Sequence, residues 1–307
     1  MVILVTGGSG FIGTHLLYEL TNRGEKVVSL SRRISEGTLV NQVIFEEGDV
    51  RYLSQLLDIV KKYEVDRIIH TASLLTNETQ SNPFLAFDVN AKGTLNMLEV
   101  ARVMDIKRFV YISGSSVYGV TEIDIPVKED HPRVPVTLYG TIKVLCEDLC
   151  KNYFKNYGLD WAGIRYPMVY GPGRERGFLS IQQVIADAVL KRHVVIPRGG
   201  DQKYAPVHVL DAVNGLILAT FKTPLKSRIF NIGPEMDRMY SLHDIAGIVK
   251  KYVSDVSFEI GPGEVEEEPL RGPLDITKAK EELNYNPQYH LENGVKEFIE
   301  ILTHKNA

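Results

Sequence analysis

Two side chains with a short spacing open the chemical case. Tyr139 and Lys143, in the segment YGTIK, stand four residues apart, which on a helix puts them one turn apart on one face. There an ammonium can lower the pKa of a phenol and bind a cofactor ribose. The phenol can then pass a proton to and from a substrate oxygen. A chain with 15 tyrosines offers this spacing by chance, so its surroundings must carry the argument. Upstream lies ISGSSVYG, Ile112 to Gly119, with three serine hydroxyls directly after the apolar run RFVYI. A Ser/Gly-rich stretch of this kind is by itself a turn signal. In a doubly wound sheet, however, strand ends and the helices that follow them line the ligand crevice.

A second constellation opens the chain. Thr6 to Gly13 reads TGGSGFIG, after a first apolar strand and at the mouth of a first helix. Gly8, Gly10 and Gly13 satisfy G-x-G-x-x-G, and Gly7, Gly10 and Gly13 satisfy a wider glycine spacing. Glycines there let the backbone turn tightly and approach a pyrophosphate, whose charge the helix N-terminus stabilises. An NAD site commonly carries an acid at the end of the second strand, bonded to the ribose. Here that strand ends Leu30-Ser31-Arg32-Arg33, with no acid. An arginine suits a 2′-phosphate through charge-assisted pairing, which favours NADP over NAD. Asp49, in the GDV that follows a third strand, is placed to meet the adenine or simply to form a turn.

These residues require a scaffold, and the pattern supplies one. Strand-like runs at Val2–Val5, Lys26–Leu30, Val43–Phe45, Arg67–Ile69, Arg108–Ile112 and Trp161–Arg165 alternate with helical stretches near 52–62, 84–105 and 138–157. The expectation is a Rossmann-type α/β fold, a doubly wound parallel sheet covered by helices on both faces. After Tyr166 proline and glycine become denser and the alternation breaks. This predicts a dinucleotide domain over 1–165 and a smaller α/β substrate lobe over 166–307, with a helix near 209–222 returning to the first domain. The acidic run Glu264 to Glu268 reads as a solvated loop.

Bulk properties narrow the class. Hydrophobic content of 44% and charged content of 24% are those of a soluble globular protein. A net charge of -4 argues against nucleic acid, and no apolar run is long enough for a membrane span. Cys146 and Cys150, the two cysteines, fall in a helical pattern and read as reduced and buried in a cytoplasmic protein, with no metal site implied.

TGGSGFIG, GDV, HTAS, VNAKGTLNMLEVA, YISGSSVYG, YGTIK, RYPMVYGPG and DITKAKEELNYNP occur in one order along the chain. In that order it resembles the extended short-chain dehydrogenase/reductases, and more narrowly their NAD(P)-dependent epimerase/dehydratase branch, over essentially its full length. The resemblance implies that Tyr139 is the acid/base and that Lys143 holds the nicotinamide ribose. It further implies cofactor contacts at Gly7, Gly10, Phe11, Ile12, Gly13, Ser31, Arg32, Asp49, Val50, Thr71, Ala72 and Tyr166. It also implies a homodimer. In the family the assisting hydroxyl follows the first serine, a position held here by Gly114, which leaves Ser115 first and Ser113 second. The family's nucleotide-contacting asparagine is replaced by Met168, and the segment that usually carries an arginine begins at Lys203. Arg271 matches a family position that pairs with a substrate diphosphate; Arg174, Arg176 and Lys203 could add charge there.

The reaction implied first is epimerisation of a nucleoside-diphosphate sugar through a transient keto-sugar. Dehydration is disfavoured because Ser115-Ser116 offers no carboxylate. The alternatives are a net NADP-dependent reductase or dehydrogenase of a non-nucleotide carbonyl or alcohol, and, in another class, a non-catalytic NAD(P)-sensing regulator.

Overall fold

The computed structural model of the chain describes residues 1–33, 42–235, 238–265 and 269–305. The N-terminal strand β1 (Val2–Thr6) leads through the glycine loop into α1 (Phe11–Asn22). Then follow β2 (Lys26–Ser31), β3 (Val43–Glu47), α2 (Leu53–Lys62) and β4 (Arg67–His70). Short α3 (Thr76–Ser81) and α4 (Pro83–Ala86) precede α5 (Gly93–Val103), β5 (Arg108–Ile112), α6 (Leu138–Tyr157) and β6 (Trp161–Arg165). The rest of the chain gives β7 (Val169–Tyr170), α7 (Ser180–Lys191), β8 (His193–Ile196), β9 (Val207–His208) and α8 (Val209–Phe221). It ends with β10 (Ile229–Asn231), α9 (Leu242–Lys250), β11 (Ser257–Ile260) and α10 (Leu291–Lys305).

Seven strands form one parallel sheet in the order β10-β6-β5-β4-β1-β2-β3. This is the doubly wound Rossmann arrangement, with the strand order reversing beside β1, where ligands bind at the carboxyl ends. Alternate side chains serve opposite faces. Ile3, Val5, Val27, Ile69 and Val110 join a core with α1 and α8, while Leu4, Val28, Ile68 and Phe109 join one with α2, α5 and α6. Each such fully buried side chain contributes roughly 1.5–3 kcal/mol.

The sequence pattern missed the seventh strand. β10 has three residues in a loop-rich region, too short for periodicity to register, yet it pairs with β6 through Ile229–Gly163 to Asn231–Arg165. α8 packs against α1. Its last turn is fixed by Arg108, which donates to the carbonyls of Ala219 and Lys222 (2.5 and 3.0 Å) and to Asp160 (2.8 Å). These bonds occupy carbonyls that a helix end otherwise leaves unpaired.

The remaining elements build a second core on the carboxyl side of the sheet. α7, α9 and α10 pack over the parallel pairs β8–β11 and β7–β9, with Ile181, Val184, Leu242, Ile245 and Val295 at the centre. The acidic run is described only as far as Glu264, which is exposed, and Val265; Glu266 to Glu268 lie outside the described residues.

Two details position the site. The stretch expected as one helix over 84–105 contains a π-helical turn, Phe87–Lys92, whose extra residue turns Asn90 inward to bond the backbone N–H and carbonyl of Leu74. α6 has its ends where the sequence places them. Thr137 caps it by accepting from Gly140 N (3.1 Å), and Gly158 closes it at φ 71°.

Candidate active site

A cleft of about 880 Å³ runs along the carboxyl ends of β1, β2, β4, β5 and β6. Its floor is the glycine loop. Gly7 has φ +73°, and a Cβ there would lie 2.8 Å from the Ala72 nitrogen; one on Gly13 would lie 2.2 Å from the Gly7 carbonyl. Only glycine permits this approach of loop, helix and β4 end. Gly10 caps α1 with no side-chain cap bond, and Phe11 to Gly13, the first residues of that helix, line the cleft at the end where helix N–H groups lack intrahelical partners. These features fit a dinucleotide pyrophosphate.

Tyr139 and Lys143 line the same cleft from the first two turns of α6. Lys143 is buried, donates to the Ile112 carbonyl (2.6 Å), and stands 5.3 Å from the centre of the Tyr139 ring. It also lies 4.8 Å over Tyr111, whose phenol burial holds far above its usual pKa.

The three serines have different fates. Ser113 donates to Glu147 Oε1 (2.6 Å), and Glu147 is clamped by Arg165 through Nε and Nη2 (2.8 and 2.6 Å) and by Arg133 (3.3 Å). Burial opposes the charge of Arg165, but its Glu147 bonds outweigh that penalty and raise its pKa. The sequence reading missed Glu147. The available signal was its spacing, four residues beyond Lys143 on the same face. All three serines line the cleft, and the Ser115 N–H donates to the Tyr166 carbonyl (2.7 Å).

Other expected residues divide. Thr71, Arg32, Arg174 and Arg271 line the cleft. Arg174 also bonds the Val169 carbonyl, and Arg176 lies 3.7 Å from Glu78 across the opening. Tyr166 contributes backbone, since its phenol donates to the Ala212 carbonyl (2.6 Å). Ser31 is buried and accepts from the Ser9 N–H (3.1 Å). Asp49 lines an adjoining groove with Arg32, its carboxylate held by Arg51 and its pKa lowered: burial acts against the shift, but the Arg51 bonds prevail.

Like Ser31 and Asp49, three further expected residues do not line the cleft. Val50 is buried against Gly93. Ala72 abuts the glycine loop through its backbone. Lys203 lies 4.0 Å from Asp244, which completes the capping box of α9 with Ser241. Among the described residues no group of three or more His, Cys, Asp or Glu could hold a metal ion, and no helix is long and apolar enough to cross a membrane.

A doubly wound sheet whose glycine loop faces a Tyr–Lys pair across one cleft defines a dinucleotide-dependent enzyme of the extended short-chain dehydrogenase/reductase class. The model of the NAD dependent epimerase/dehydratase family matches residues 3–233, and the chain belongs to that family. A relative from Methanocaldococcus jannaschii, described as "Putative UDP-glucose 4-epimerase", is 31% identical over 99% of both chains. The Thermotoga maritima UDP-glucose 4-epimerase, solved with UDP-glucose, superposes with a TM-score of 0.90 at 26% identity, covering both chains fully. The UDP-glucuronic acid 4-epimerase of Bacillus cereus, in complex with UDP-glucuronic acid and NAD, gives 0.85 at 26% identity over 99% and 100%. L-threonine dehydrogenase from Clostridium difficile gives 0.88 at 30% identity over 99% and 98%.

Proposed function

We propose that this chain is a nucleoside-diphosphate-sugar epimerase working through a transient keto-sugar. One observation carries the reading: Tyr139, Lys143, the serine-rich strand end and the glycine loop all face the same cleft. The nicotinamide, when bound, supplies a hydride acceptor that can return the hydride. The chain's own part is proton transfer and positioning. The Tyr139 phenolate, favoured by Lys143, removes the sugar hydroxyl proton and later gives it back. A hydroxyl of the serine stretch assists at the same oxygen. Arg174 and Arg271 bind the diphosphate.

NADP is our preferred dinucleotide, because Arg32 borders both the cleft and the neighbouring groove while Ser31 stands where an acid would be. NAD is the second reading, favoured by the NAD-bound Bacillus relative. A homodimer is supported by Leu95 and Val103 of α5 and Leu145 and Phe154 of α6, apolar side chains left exposed on neighbouring helices. The buried, unpaired Cys146 and Cys150 support a reducing, cytoplasmic setting.

The test is interconversion of UDP-glucose and UDP-galactose, with any nucleotide released on denaturation identified by mass spectrometry. Product formed without net change in absorbance at 340 nm supports the epimerase. No interconversion of the two sugar nucleotides, with reduced cofactor accumulating in step with product when L-threonine is supplied instead, would replace it with a net dehydrogenase of a non-nucleotide alcohol, the reading favoured by the L-threonine dehydrogenase neighbour and by Met168 in the cleft wall.

A further inference from the structure

The side chain at position 114 is missing, and nothing in the backbone requires that it be. Gly114 is extended, with φ -171° and ψ 165°, a conformation any residue adopts. A Cβ built there would meet only Ser116 Oγ and the Tyr166 carbonyl, both at 3.7 Å, which is ordinary contact. The glycine therefore leaves unfilled, in the cleft wall, the place that a Cβ would take without a clash.

The oxygen behind that space is Ser116 Oγ. It is shut away from bulk solvent and finds no hydrogen-bond partner among the described residues, although Ser116 lines the cleft. Hydroxyls buried in this way are ordinarily paired, so an orphan at a ligand site signals a partner that arrives with the ligand. Ser113 cannot serve, because its hydroxyl is spent on Glu147. The backbone of Ser116 is also fixed against the Tyr139 helix: a Cβ on Gly140 would lie 2.5 Å from the Ser116 carbonyl, so the first turn of α6 presses directly on this residue.

Resting on the epimerase reading above, we infer that Ser116, through the gap left by Gly114, is the catalytic hydroxyl that hydrogen-bonds the reacting substrate oxygen beside Tyr139. It donates to that oxygen as it becomes a carbonyl, while the departing proton goes to the Tyr139 phenolate. The gap also lets the oxygen seat deeper in the wall than a side chain at 114 would allow.

The experiment compares Ser116→Ala, Ser115→Ala, Tyr139→Phe and the double variant Gly114→Ser/Ser116→Ala. Interconversion of UDP-glucose and UDP-galactose is assayed, and dinucleotide binding is followed by calorimetry. Ser116→Ala is expected to lower kcat about 100-fold, the usual cost of losing one donor to a developing oxyanion, with dinucleotide affinity and Tm kept. Moving a hydroxyl to 114 in the double variant should recover at least tenfold of that loss. Wild-type kcat in Ser116→Ala, or a larger loss in Ser115→Ala, overturns the assignment. Loss of turnover in Tyr139→Phe alongside either of those outcomes confines the failure to Ser116. Turnover surviving in Tyr139→Phe brings down the underlying reading instead.

Discussion

The two walls of the cleft are made of different material. The cofactor wall is backbone: glycines, helix N–H groups and strand ends from the first 71 residues, in which Gly7 and Gly13 admit no Cβ. The wall proposed for the substrate is side chains: Tyr139, Arg174, Met168 and Arg271, carried by one long helix and several irregular loops. Backbone recognition constrains sequence tightly, because the absence of a side chain is itself the requirement. Side-chain recognition can be rewritten by single substitutions, as Gly114 and Met168 illustrate. The comparison therefore predicts that the dinucleotide end of such a molecule is read with assurance and the substrate end only by class.

The largest effect should separate the walls most clearly. Tyr139→Phe is expected to lower kcat about 1000-fold while dinucleotide affinity changes less than about threefold; a matched loss in both, measured by steady-state kinetics and calorimetry, would blur the division. Gly13→Ala should do the reverse. Its Cβ would overlap the Gly7 carbonyl, and relieving that clash costs about 2 kcal/mol, or roughly 30-fold in dinucleotide affinity. Turnover at saturating cofactor should survive. Arg32→Ala sharpens the cofactor wall further, with an expected loss of about tenfold for NADPH and little for NADH. Equal losses for both would remove the 2′-phosphate role.

The smallest effect concerns the floor beneath both walls. His70, at the end of β4, lies fully buried between the Thr6 and Thr94 hydroxyls (2.7 and 3.1 Å), and burial, aided by Lys143, depresses its pKa to about 3. The unfolded chain protonates first, so stability present at pH 7 is lost as pH falls through about 6.5. The slope approaches ~1.4 kcal/mol per pH unit from this residue. Urea midpoints across that range should decline for the wild type and decline less for His70→Gln; parallel declines would exonerate His70.

Much of this organisation is legible in the amino-acid order. Six sheet strands announce themselves as β-branched runs, and the bounds of α6 are marked by a threonine cap and a glycine in the left-handed conformation. β10 is not legible because three residues carry no period, and its place depends on pairing with a strand more than 60 residues earlier. The π-helical turn is hidden because one extra residue leaves the amphipathic pattern of 84–105 nearly intact. Lys203 has the charge for a substrate phosphate but stands near Asp244, outside the residues that line the cleft. Among the serines, residue type is uniform and only the folded surroundings distinguish Ser113, whose hydroxyl is bonded to Glu147, from Ser116, whose hydroxyl has no partner among the described residues.

Glu147 ties four parts of the chain together: the serine strand end, the Tyr139 helix, β6 through Arg165, and the loop carrying Arg133. Losing Glu147 or Arg165 strands the other as an uncompensated charge, because the carboxylate and the guanidinium are both buried. Descent with change must therefore move these positions as a set. In an alignment of relatives, 113, 147 and 165 should covary, so that a lineage that replaces the acid has also replaced the arginine, with 133 following more loosely from its partly exposed place.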